Sequence, residues 1–183
     1  VRISSSRKTP QTILRGFVIC LTLLATVSCG AGKLETWGKD RFEVKYDASV
    51  FTPVMNYEND LSLKFVDGNK EVVVVSAIVP AQIDKNVTRD DYFETAKNDF
   101  ESKFSKVLNN ATNKSELQGI STYTENVTAL AEGSEKTVSG ILKFMMMDDA
   151  IMVVSVIDDA ETMKKHTVAV TQLIDSAILK GAK

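Results

Sequence analysis

The two cysteines, Cys20 and Cys29, are the only thiols in the chain, and only Cys29 stands where covalent chemistry has a recognisable setting. It closes the run Ala25-Thr26-Val27-Ser28-Cys29-Gly30, in which small residues precede a cysteine and a small residue follows it. A processing enzyme needs an extended, narrow backbone at such a place, and the thiol must be free to take a diacylglycerol. Cys29 is therefore the expected lipidation site, in a pattern similar to a lipobox, with Thr26 standing where Leu is commoner.

The other chemistry-bearing groups are better explained by structure. His166 is the single histidine, and a serine-hydrolase triad would need it, yet no GxSxG elbow is present; Ser139-Gly140 lacks the preceding glycine. It is expected at the edge of a helical stripe. The pairs Asp148-Asp149 and Asp158-Asp159 suit a turn and a helix start, where aspartate is favoured for local hydrogen bonding, and no calcium-loop pattern surrounds them. Met145, Met147 and Met152 could offer thioethers to Cu(I), but flexible core filling is the simpler role. Neither a GxGxxG nor a Walker pattern occurs. No metal and no cofactor is expected.

These groups must be positioned by a chain whose start is distinctive. Arg2, Arg7, Lys8 and Arg15 precede the first acidic residue, Glu35, and Gly16 to Val27 (GFVICLTLLATV) is uncharged and largely apolar. A cationic stretch followed by an apolar run too short to span a bilayer has the form of a signal peptide. The expected organisation is a signal peptide over 1–28, a lipidated cysteine and tether over 29–40, and one globular domain over 41–183. Removing residues 1–28 takes four cations away, leaving 18 Lys and Arg against 24 Asp and Glu, a formal charge of −6. Such a surface repels phosphate backbones, and nucleic acid is excluded as a partner. Once Cys29 carries lipid no thiol is left for disulfides, zinc or catalysis.

Alternating runs predict strands over Arg41–Tyr46, Leu61–Val66 and Glu71–Val79, with Asp67-Gly68 turning a hairpin between the last two. Thr88 and Asp91 approximate a capping box that opens a helix. Tyr92, Phe93, Ala96, Phe100, Phe104, Val107 and Leu108 make its stripe, and Asn109-Asn110 its end. The triplets at Asn86, Asn110, Asn113 and Asn126 read as exposed loops. Strands follow over Leu117–Val127, Thr137–Met147 and Ala150–Ile157. With Met147 opposite Ala150, the last hairpin places Met145, Met147, Met152 and Val154 on one face, and Leu142, Phe144, Met146, Ile151 and Val153 on the other. Both faces are apolar, so both need cover. A terminal helix from Ala160 to Leu179, capped by Asp158 or Asp159, supplies part of it. Trp37 is expected to pack on the domain. The expected fold is α+β: an α/β/α sandwich with a central antiparallel sheet and helices on both faces.

This order of elements, with the extended start FEVKYDASVF and the final segment VTQLIDSAIL, resembles the PsbP-like and Mog-type fold family over roughly Arg41 to Leu179. That family includes photosystem accessory proteins, a Ran-binding nuclear import factor and bacterial envelope lipoproteins. The resemblance implies a non-catalytic binding or accessory role and carries no functional residue over to this chain. Three functions stay open at this point. The favoured one is an extracytoplasmic accessory module, held to a bacterial membrane by the diacylglycerol on Cys29, that binds an envelope protein partner. The second is a small-molecule or lipid-binding lipoprotein whose cleft is lined by Phe93, Phe100 and Phe104. The third is a hydrolase using two carboxylates, for which no particular pair stands out.

Overall fold

Period-two alternation governs most of the described residues, and most of these are in antiparallel sheet. The computed structural model describes residues 32–38, 41–78 and 83–180; the signal-like segment and Cys29 lie outside them. The elements run β1 (Leu34–Trp37), β2 (Phe42–Asp47), β3 (Phe51–Asn56), β4 (Asp60–Phe65), β5 (Glu71–Ile78), α1 (Arg89–Glu101), β6 (Phe104–Leu117), β7 (Ile120–Ala131), β8 (Thr137–Met147), β9 (Ala150–Asp159), α2 (Ala160–Lys165), α3 (Thr167–Ser176) and β10 (Ile178–Leu179). Seven strands form the large sheet in the order β3-β4-β5-β9-β8-β7-β6, and three form a small one, β1-β2-β10.

The methionine-rich hairpin folds as its pattern predicts, with Met147 opposite Ala150 and Met145 opposite Met152. Its two apolar faces feed two separate cores. Met145, Met152, Val154 and Val156 join Leu61, Leu63, Val73 and Val75 in one. Leu142, Phe144, Met146 and Ile151 join Phe93, Phe100, Tyr123 and Val127 in the other. Helix α1 covers the second core. The first is covered by a mixed layer, in which Met163, Val170 and Leu173 of α2 and α3 share the work with Trp37, Val44, Tyr46 and Leu179 of the small sheet. A sandwich with helices alone on both faces is thus met only in part, because strands supply much of the cover on one side.

Several boundaries differ from the expectation. The tether gives way to structure early: Leu34–Trp37 pairs with β2, Trp37 opposite Val44, and Trp37 is buried. Helix α1 starts at the expected cap, with Thr88 Oγ1 accepting from the Asp91 amide at 3.1 Å, but it stops at Glu101 instead of Asn109. From Phe104 the chain pairs with β7 through to Leu117 opposite Ile120, and this long ladder overrides the helical spacing of Phe104, Val107 and Leu108. Asn110, Asn113 and Asn126 lie in strands, not loops.

The terminal helix is broken at His166, whose backbone (φ −104°, ψ 16°) leaves the helical region. The imidazole stacks on Phe65 at 4.2 Å, and the Thr167 hydroxyl donates to the Met163 and Lys164 carbonyls at the break. Beyond α3 the chain turns extended so that Leu179 is buried and pairs with Phe42. Asp159 occupies the N-cap of α2 but makes no side-chain cap bond; its carboxylate takes Lys136 at 2.7 Å.

Candidate functional site: a cleft beside α1 and an open sheet edge

The three phenylalanines expected to line a cleft join one core, and they mostly engage other aromatic rings. Phe93 stacks on Tyr123 with centroids 4.3 Å apart. Phe100 meets Phe104 edge-on at 5.4 Å. Both of these rings sit over Gly140, where a Cβ would come within 2.7 Å of Phe100 and 3.0 Å of Phe104, so the absence of a side chain at 140 is what lets the helix end settle there. Of the three, only Phe100 borders the open space beside α1; Phe93 and Phe104 serve packing.

That space is a cleft of about 390 Å³ between α1 and the β5-β9 part of the sheet. It exists because α1 lies over β7 and β8, leaving Ile78, Val153 and their neighbours only partly covered. Val74, Ile78, Leu142, Ile151 and Val153 give it an apolar floor, and Tyr92, Ala96 and Phe100 wall one side. Asp99 and Lys103 stand at its rim with opposite charge. A volume of this size with few polar groups suits an apolar small molecule.

The carboxylates and the histidine do other things. Arg41 grips Asp149 with two bonds of 2.7 and 2.9 Å, and Arg89 reaches Asp148 at 2.6 Å, so the turn between β8 and β9 is pinned to the chain on both sides. Asp158 pairs with Lys70 at 2.5 Å. His166 Nε2 is buried without a hydrogen bond, and Asp67 Oδ1 lies 3.6 Å from it. Met145 and Met152 are core residues. Among the described residues no cluster of three His, Cys, Asp or Glu could hold a metal ion.

One unusual acid escaped the sequence reading. Glu125 on β7 has a side chain 0% exposed. Asn110 donates to its Oε1 at 3.2 Å and to Glu101 at the same distance, and Lys97 Nζ lies 3.8 Å away. Its Oε2 has no partner. Burial pushes this carboxyl above the usual range, Lys97 pulls the other way, and Glu101 adds to the rise. The signal was present in the sequence: on a strand Glu125 shares its face with Tyr123 and Val127, which are inward-facing types.

The two edges of the large sheet are unlike. β3 is short, carries Pro53, and is bulged between Pro53 and Met55. β6 has 14 residues, and every one from Leu108 to Leu117 is exposed. Its bulges are confined to the stretch before Asn109. The β6-β7 turn is Gln118-Gly119, with φ of 53° and 77°, the left-handed pair of a tight hairpin turn that glycine favours and glutamine tolerates. No noun-like motif such as Asn-Gly marked it.

No protein-family model matches the chain, and no curated protein matches it. Solved structures do. The cyanobacterial PsbP (CyanoP) of Synechocystis sp. PCC 6803 is similar with a TM-score of 0.54 at 13% identity, over 83% of this chain and 95% of that one. LpqN, involved in cell envelope biogenesis of Mycobacterium tuberculosis, is similar with a TM-score of 0.50 at 9% identity, over 81% of this chain and 91% of that one. At such identities the likeness is one of fold, and the chain has a PsbP-like fold.

Proposed function

We propose that this chain is an extracytoplasmic lipoprotein, anchored through diacylglycerol on Cys29, that acts as a non-catalytic binding or accessory module for an envelope protein partner. The shortness of the spacer carries the reading. The compact unit begins at Gly32, so three residue steps separate it from Cys29, a span of at most about 11 Å. A domain so tethered works at the surface of its membrane. On this reading the lipid is the anchor; among the described residues no helix is long and apolar enough to cross a bilayer. The similar fold of LpqN, involved in cell envelope biogenesis, agrees with this setting. The finer kinship to Mog-type proteins rests on element order alone.

The test has two parts. Metabolic labelling with a fatty-acid analogue should mark the parent chain and leave a Cys29→Ser variant unmarked, and the variant should leave the membrane fraction. Crosslinking of intact cells followed by mass spectrometry should then yield one dominant envelope protein with the parent chain. A parent chain without lipid, or a diffuse set of crosslinks, would sink the proposal.

The apolar cleft beside α1 favours a second reading, a carrier of a small apolar ligand. Solvent extraction of the purified protein should yield a defined compound on this reading, and an empty extract removes it.

A further inference from the structure

The open edge of β6 is built to receive another strand. The turn at Gln118-Gly119 closes the hairpin on the pair Leu117 and Ile120, and in such a two-residue hairpin that pair exchanges both hydrogen bonds. The pattern then alternates. Ser115, Asn113 and Ala111 bond to Thr122, Thr124 and Asn126, their partners in the register. The amides and carbonyls of Asn110, Thr112, Lys114 and Glu116 consequently point away from the sheet.

Edge strands are ordinarily guarded by charges, bulges or proline, and β3 follows that rule. The regular half of β6 has neither bulge nor proline, and its charges are Lys114 and Glu116. Its polar side chains reach back over their own sheet toward α1: Lys114 Nζ bonds Asp90 at 2.6 Å and lies over the Tyr123 ring, Asn110 donates to Glu101, and Glu116 lies 3.9 Å from Arg89. The side chains that would fend off a neighbouring strand are thus held elsewhere, and among the described residues no strand covers the main-chain row.

We infer that β6 pairs through Asn110, Thr112, Lys114 and Glu116 with an extended, proline-free segment of another envelope protein. That segment would carry polar side chains on both faces, because it would lie beside Ala111, Asn113 and Ser115 on one side and beside the charged end of α1 on the other. The inference rests on the accessory-module reading and names how its partner is held. Geometry favours a partner away from the membrane. The chain enters through β1, whose Trp37 bonds the Tyr57 carbonyl just past β3, and β6 lies six strand spacings across the sheet, about 29 Å.

The test uses the full chain in cells. A benzoylphenylalanine photo-crosslinker replaces Asn113 or Ser115 on β6 and, in separate chains, Thr52 on β3 or Val168 on α3. A discrete product with another envelope protein is expected from 113 and 115. Thr112→Pro, which removes one outward amide at an edge where proline is sterically tolerated, should reduce that product at least tenfold, whereas Thr112→Val should leave it unchanged. Glu116→Pro should act as Thr112→Pro does, and it carries the test if the protease resistance of the Thr112→Pro chain shows that it does not fold. A product insensitive to proline overturns the inference, as does one formed only with a second copy of this chain. Products from 52 or 168 alone overturn it while leaving the accessory reading intact. No product from any position, with Cys29 lipidated, removes both.

Discussion

A buried carboxylate that lacks a partner for one oxygen is costly to keep charged, and Glu125 is in that position. Its proton is held more tightly in the folded chain than in the unfolded one, so folding is favoured more at acid pH. The stability this group allows is greatest near and below the ordinary glutamate value, and it declines as pH rises through the elevated folded value. Glu125→Gln should remove that decline. The variant is expected to exceed the parent by about 1 kcal/mol at pH 7, with the difference shrinking toward pH 4, as read from urea midpoints across pH. A difference that instead grows on acidification would show that Lys97, 3.8 Å away, governs the site.

At the scale of elements, a lysine ties the C-terminal end of α3 to the large sheet. Lys143 projects from β8 and its ammonium donates to the Ile174 carbonyl at 2.8 Å and the Ala177 carbonyl at 2.9 Å. These are carbonyls at the helix C-terminus, where cations are favoured. Burial lowers the Lys143 pKa, with Asp175 opposing. Lys143→Met keeps the bulk and loses both bonds; a loss of about 1–3 kcal/mol is expected, with faster amide exchange confined to α3 and β10. The elements that could be read from the sequence were those whose own residues decide them: Thr88 and Asp91 at a cap, Asp148-Asp149 between two apolar runs, Met145 opposite Met152. Those that could not were decided by distant partners. Phe104, Val107 and Leu108 keep helical spacing, but Phe104 and Val107 pair with β7 and Leu108 falls in the bulge between Val107 and Asn109, and no glycine or proline announces the break at His166, whose ring stacks on the distant Phe65. The same division runs through the candidate site. The three phenylalanines were legible as a cluster, whereas the cleft depends on which strands α1 leaves uncovered.

For the molecule as a whole, the small sheet acts as a clasp, and Trp37 is its pin. The indole is buried in the larger core and donates to the Tyr57 carbonyl at 3.0 Å. Trp37→Ala should cost about 3–5 kcal/mol, measurable as a lowered denaturant midpoint, although residues 29–40 read as a mere tether in the sequence. A midpoint within error of the parent would mean that β1 contributes nothing to the fold. The wiring of the sheet also bears on when the molecule can fold at all. The penultimate strand, β9, lies in the middle of the large sheet between β5 and β8, and the first half of the chain is further tied to the last residues through Glu43 opposite Ile178. β5 gains its inner neighbour only when β9 has arrived, and β2 waits for β10; these two ladders join strands remote in sequence whereas the others join consecutive strands, and such remote pairings are the slow ones to close. On the secreted-lipoprotein reading proposed above, that order suits passage through a translocation channel: β3, β4 and β5 can form hairpins, but they cannot join the second half of the large sheet before β9 has followed.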